Sequence, residues 1–305
     1  MNQPDRLREA TQLRPRRTGE IIDAAITVWG KHFKVLTVLA AALVLPFQVV
    51  SALIAVSVKP TLLDSFQQWQ KDLTADSSAK PHFTGKQIAA MSGSGIVQFI
   101  ATFLLTAALT AFLADVYLGR KPDRRRSIRA AIRRGPIMLL SSILGILAGA
   151  LALLPAVGLA VAGLVAPSLL ALLAAFPVWI WFFIRISAGG PAVVLEHAGP
   201  IKALRRSFGL TKGRWWPIVG ITFLSLLIAG IPNAIISAAV KGVLSLAGGN
   251  NAGFDFVWTA ISQTVAAAIT APVSAAIAVI LYIDLRIRRE GFDLEQLAAA
   301  NVASA

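Results

Sequence analysis

The chain has 305 residues, 56% of them hydrophobic and only 14% charged, with a formal net charge of +14 and no cysteine. Soluble domains carry about 25% charged side chains, so an ordinary water-soluble globule is excluded for most of this sequence. The missing cysteine excludes disulfides, thiolate metal sites and a thiol nucleophile.

Residues 1–17, rich in Arg, Pro and Gln, read as a flexible tail. From Thr18 an amphipathic helix is expected, with Ile22, Ile26, Trp29 and Phe33 at helical spacing on one face. Glu20 and Asp23 suit its positive N-terminal end. A charge-free run, 35–58, follows. It is too long for the core of a cleaved signal peptide and is expected to act as an uncleaved insertion signal.

Four more charge-free runs occupy 87–114, 137–184, 215–240 and 256–283. A bilayer-crossing helix needs about 20 apolar residues, so the run 137–184 holds two spans with a turn near Pro155 to Pro167. Inside hydrocarbon the backbone must pair within a helix or a closed barrel. Barrel strands are about ten residues long with alternating polarity, which these runs lack. The expected fold is all-α, with six transmembrane helices near 35–58, 95–118, 137–157, 164–186, 217–240 and 257–284. The membrane domain covers 18–290, and 291–305 form a second tail.

Basic residues alternate with the spans. Residues 1–34 carry seven Lys/Arg, 119–136 eight, 185–214 six and the stretch from Arg286 three. Lys59, Lys71, Lys80, Lys86 and Lys241 fall in the other loops. The positive-inside rule then puts both termini in the cytoplasm. The basic excess is a topology signal with anionic headgroups as its partners, and nucleic acid is not expected.

Three units of two spans emerge. Arg126–Arg134 presents Ile128 and Ile132 on one side before Gly135-Pro136 opens the third span. Pro200–Lys212 presents Ile201, Leu204 and Phe208 before the fifth. Both are expected to be interfacial helices like the first, with Arg129, Arg133, Arg134, Arg205 and Arg206 as headgroup or partner contacts. The returning spans end FLADVYLG (112–119), FFIRISAG (182–189) and LYIDLRIR (281–288), which aligns Asp115, Arg185 and Asp284. Charges at membrane depth tend to face inward and pair, so these three form either an ion-pair latch or three separate snorkelling groups. Pro46, Pro155 and Pro232 recur in the outgoing spans. In the loop 59–86, Leu62, Phe66, Trp69 and Leu73 make a further amphipathic stripe, resting on lipid or docking a partner. Residues 246–255 read as a flexible turn.

Gly145 and Gly149, and the row Ala267, Ala271 and Ala275, are small-residue packing devices. Gln48, Gln98, Asn233 and Gln263 either bond helices together or line a solute path. His32, His82 and His197 lie in different loops, Gly93-Ser94-Gly95 lacks the pattern of a nucleophile elbow, and Glu196-His197 are adjacent, so their side chains diverge in a regular segment. No enzyme, metal or cofactor is expected.

The segments RPRRTGEIIDAAITVWGKHF (14–33), PAVVLEHAGPIKALRRSFGLTKGRWW (191–216) and YIDLRIRREGFDLE (282–295) resemble the membrane-domain family named after glycerophosphoryl diester phosphodiesterase. In that family such a region precedes a soluble catalytic barrel, and nothing after residue 295 here could supply that barrel's histidines and metal-binding acids. The resemblance implies the membrane module without the enzyme, and no functional residues carry over. The expected function is a non-catalytic membrane module that organises or regulates partner proteins or lipids. The alternative is a transporter or channel.

Overall fold

The computed structural model describes residues 15–57, 65, 68, 70–71, 84–248 and 252–291. The tails, most of 59–86 with its stripe at Leu62, Phe66, Trp69 and Leu73, His82, and the turn at Gly249 to Asn251 lie outside the described residues. Helices account for nearly all of the rest, with no strand among the described residues.

In chain order these are α1 (Thr18–Lys31), α2 (Phe33–Val56), α3 (Gly85–Tyr117), α4 (Arg124–Ala150), a 3-10 turn (Leu151–Leu153), α5 (Leu154–Val161), α6 (Val165–Ile186), α7 (Gly189–Leu195), α8 (Pro200–Thr211), α9 (Trp215–Gly248) and α10 (Ala252–Glu290). Six segments are long and apolar enough to cross a membrane, with α4, the turn and α5 forming one of them. The chain is a multi-pass membrane protein. At about 1.5 Å per residue, α9 and α10 are longer than the roughly 30 Å hydrocarbon layer, so their ends project into the headgroup zones.

The core follows from where small residues fall. α10 is the most buried span and packs on α1, α2, α3 and α9. Ala40, Ala266, Ala268, Ala275 and Ala276 are buried in these contacts, which lets backbones approach where lipid supplies no hydrophobic drive. Leu36, Leu109, Phe112, Leu113, Ile280 and Ile283 fill the space between them. α4 lies against α3 through Gly135, where an added Cβ would fall 3.3 Å from the Cα of Leu104. α6 is the least buried span. It meets α4 at Gly145 and Gly149, where a Cβ would come within 2.9 Å of Ile186 and 3.1 Å of Phe182.

Polar groups within the spans bond across helices. Gln98 donates to the side-chain oxygen of Gln48 at 2.6 Å, joining α2 and α3. Asn233 donates to Thr270 at 3.0 Å, joining α9 and α10. Gln263 is exposed. Pro46, Pro177, Pro232 and Pro272 are accommodated inside helices, and the turn to α6 is closed by Gly163 at φ +76°.

One expectation is corrected and one helix is added. Arg126–Arg134 is no separate interfacial helix, because α4 runs unbroken through Gly135 and Pro136. The other two segments break at His32 (φ −112°, ψ 16°) and at Gly213 in the left-handed region (φ +77°). Gly135 stays helical, wedged against Leu104, so Pro136 removes one hydrogen bond without ending the helix. α7 is a short buried helix between α6 and α8, with Pro191, Ala192, Val193 and Val194 packed inside.

Candidate functional site

All the ion pairs described below gather at one end of the bundle, where α1 begins, α3 ends, α4 begins and α10 ends. Three fastenings lie there, two of them on α10 and the third at the end of α6. In the first, Glu196 at the C-terminal cap of α7 is held by a fork from Arg206 of α8. Arg206 Nε donates to Oε2 at 2.8 Å, and Nη2 to Oε1 at 2.8 Å. Arg206 also donates to Glu290 at 2.6 Å, Arg286 lies 3.4 Å from Glu196 and 3.1 Å from Glu290, and the hydroxyl of the fully buried Tyr282 donates to Glu196. Burial alone would raise the Glu196 carboxyl, but hydrogen bonds from Arg206 and Tyr282 and the charges of Arg206 and Arg286 hold it below the ordinary carboxylate value. Burial would likewise lower Arg206, and its two carboxylates raise it instead.

The second fastening ties the start of the described chain to α10. Asp284 accepts from the Arg16 backbone N–H at 2.7 Å and from Arg288 Nε at 2.7 Å. Arg288 in turn donates to the Arg16 carbonyl at 2.5 Å, and the Arg16 guanidinium lies 5.6 Å from the centre of the Tyr117 ring. The third closes the end of α6. Buried Ser207 donates to the Arg185 carbonyl at 2.7 Å and accepts from the Ala188 N–H at 3.1 Å. It thereby satisfies groups that a helix end leaves unpaired.

The proposed latch of Asp115, Arg185 and Asp284 does not form. Asp115 pairs with Arg126 at 3.2 Å. Asp284 takes Arg288 and the Arg16 backbone. Arg185 makes no ion pair among the described residues. It lies over Trp181 (5.4 Å) and Phe208 (5.2 Å) and donates to Thr211 at 3.4 Å. The three lie near the ends of different helices, and each meets a nearer partner. Arg206, expected to contact headgroups, is instead the centre of the first fastening. Arg205 is exposed.

What does assemble is a cavity of about 430 Å³ between α3, α4, α7 and α10, within the roughly 300–1,000 Å³ typical of ligand sites. Arg120, Arg126, Arg129, Arg133, Arg134 and Arg286 line it, with His197 and a single carboxylate, Asp115. Its apolar part comes from Ala111, Ala114, Leu118, Ala130, Val194, Leu195 and Ile283. Spacing explains the arrangement on α4: residues 126, 129 and 133 follow the i, i+3, i+7 rule for one helix face. Arg126 is matched by Asp115, and Arg286 by Glu196 and Glu290. Arg120, Arg129, Arg133 and Arg134 have no ion-pair partner among the described residues. Such a cluster attracts anions, and guanidinium forks suit phosphate oxygens.

Sequence reasoning named Arg129, Arg133 and Arg134 but missed Arg120, Arg126, Arg286 and the Glu196–Arg206–Glu290 cluster. The Asp115–Arg126 pair spans only a short loop and was open to inference. The contacts from Glu196 to Tyr282 and from Arg206 to Glu290 join distant parts of the chain, and no local pattern signals them. No group of three or more His, Cys, Asp or Glu able to hold a metal occurs among the described residues. A second cleft, of about 700 Å³ and mostly apolar, lies between α6, α9 and α10 with Asn233 and Thr270 among its lining residues. No protein-family model matches the chain, and neither a curated protein nor a solved structure matches it.

Proposed function

We propose that this chain is a non-catalytic membrane module that gathers anionic lipid headgroups, and through them partner proteins, at the cytoplasmic face of a bacterial plasma membrane. The observation that carries the reading is the arginine-lined cavity, with four guanidiniums that have no carboxylate partner among the described residues. The positive-inside pattern assigns this basic end to the cytoplasm, where anionic lipids give the surface a negative potential. The three basic segments support it. Each exposes apolar side chains beside its charges: Ile26 and Phe33, Ile128 and Ile132, and Ile201. Side chains of that kind are at home in the boundary between headgroups and acyl chains. The resemblance to the phosphodiesterase-associated membrane family agrees with a membrane module.

The test is native mass spectrometry of the protein in nanodiscs of mixed zwitterionic and anionic lipids. Anionic lipids are expected to remain bound, and an Arg129→Gln, Arg133→Gln, Arg134→Gln variant to lose them. Equal retention of both lipid classes by the unaltered protein would contradict the reading.

A transporter is the second reading, favoured by the cleft between α6, α9 and α10. It requires solute or lipid movement by the purified protein alone in sealed vesicles, which the module reading predicts will not occur.

A further inference from the structure

The charge balance of the cavity says more than that it prefers anions. We infer that the site between α3, α4, α7 and α10 selects a phosphate group carrying about two or more charges, a phosphomonoester or a diphosphate, over the singly charged phosphodiester of common anionic phospholipids. This deepens the headgroup reading and rests on it.

The argument begins with pairing. Asp115 occupies Arg126 at 3.2 Å, and Glu196 and Glu290 occupy Arg286. Arg120, Arg129, Arg133 and Arg134 remain in the same 430 Å³ space with no carboxylate matched to them among the described residues. Part of the wall is apolar, including Val194, Leu195 and Ile283. Arg120, Arg129 and Arg133 are exposed, so water screens their mutual repulsion and an anion is held chiefly through direct guanidinium forks.

A phosphodiester brings one negative charge and two free oxygens. A monoester brings roughly 1.5 to 2 charges and three strong acceptor oxygens at neutral pH. Arg129 and Arg133, one turn apart on α4, approach from one side. Arg120 comes from the α3–α4 loop, so donors reach the cavity from more than one direction. Three acceptors engage such a set more fully than two, because each guanidinium offers a planar fork of donors. A monoester lipid and a soluble phosphate compound share this chemistry.

Two nanodisc preparations test the inference. Both have a phosphatidylcholine background, one doped with phosphatidic acid and the other with the same fraction of phosphatidylglycerol. The readout is bound lipid per protein by native mass spectrometry, with inorganic diphosphate as a competitor. Phosphatidic acid is expected to be retained several-fold better, because its phosphate brings more charge and a third acceptor oxygen to the guanidinium forks. Arg129→Gln with Arg133→Gln is expected to bring the ratio close to one. Arg129→Lys with Arg133→Lys, which keeps the charge but loses the fork, should give an intermediate ratio. Displacement of the lipid by inorganic diphosphate would assign a soluble source, and resistance to it a lipid source; both support the selectivity. Equal, arginine-dependent retention of the two lipids would overturn the selectivity while leaving the headgroup reading intact. Retention of neither above phosphatidylcholine would overturn both.

Discussion

Glu196 and Arg206 decide most at the scale of single residues. Their forked pair, closed by Glu290, Arg286 and Tyr282, ties the α7–α8 segment to the end of α10. Removing one member leaves the others partly buried and unbalanced, which costs most where water is scarce. Glu196→Gln is expected to lower stability by about 2 kcal/mol, read as an earlier thermal transition in tryptophan fluorescence. An unchanged transition would mean that the cluster is ornamental. Acid should mimic the substitution. The folded Glu196 carboxyl lies below its ordinary value, so its contribution is complete above the unfolded pKa of about 4.3. It fades as pH falls through the lower folded value. The unaltered protein should lose stability below about pH 4, and Glu196→Gln should lose less over that range. At Asp115 the expectation runs the other way. Asp115→Asn is nearly isosteric, removes the one carboxylate of the cavity and releases Arg126, so anionic lipid retention should rise several-fold. A fall would contradict the account of the site.

Among the elements, the spans were the legible part of the fold. Long charge-free runs have one solution in a bilayer, and the structure has six segments long and apolar enough to cross it. The exceptions share a cause: tertiary contact overrode a local signal. Gly135-Pro136 reads as a break, yet Leu104 holds Gly135 in a helix. The α7 segment, GGPAVVL, has too few residues for a span and reads as part of a loop, yet it is buried against α3 and α4. The candidate site was half legible for the same reason. Helical spacing placed Arg129 and Arg133 together, whereas Arg286 reaches the cavity only because α10 returns beside α3. Gly145 tests the packing directly. A Cβ there would lie 2.9 Å from Ile186 Cδ1, so Gly145→Leu should separate α4 from α6 and cost about 1–3 kcal/mol. Gly158, with nothing within 4 Å of an added Cβ, is the matched control: Gly158→Ala should leave the thermal transition in place.

Seen whole, the molecule is asymmetric along the membrane normal. α2, α3, α9 and α10 form a close-packed block, α6 is loosely attached, and the basic end gathers the fastenings and the arginine cavity. The threefold pattern of the sequence survives as three basic segments preceding three outgoing spans, but the charges that align within it do not meet. The central claim is that the cavity opens to the cytoplasm and holds phosphate. Because the chain has no cysteine, Ala130→Cys places a single thiol on the cavity wall. The most direct measurement is its labelling by a membrane-impermeant maleimide in intact spheroplasts and in inverted vesicles, with and without inorganic diphosphate. The account predicts labelling in inverted vesicles alone, slowed by diphosphate. Labelling from the outside of spheroplasts, or labelling indifferent to diphosphate, would contradict it.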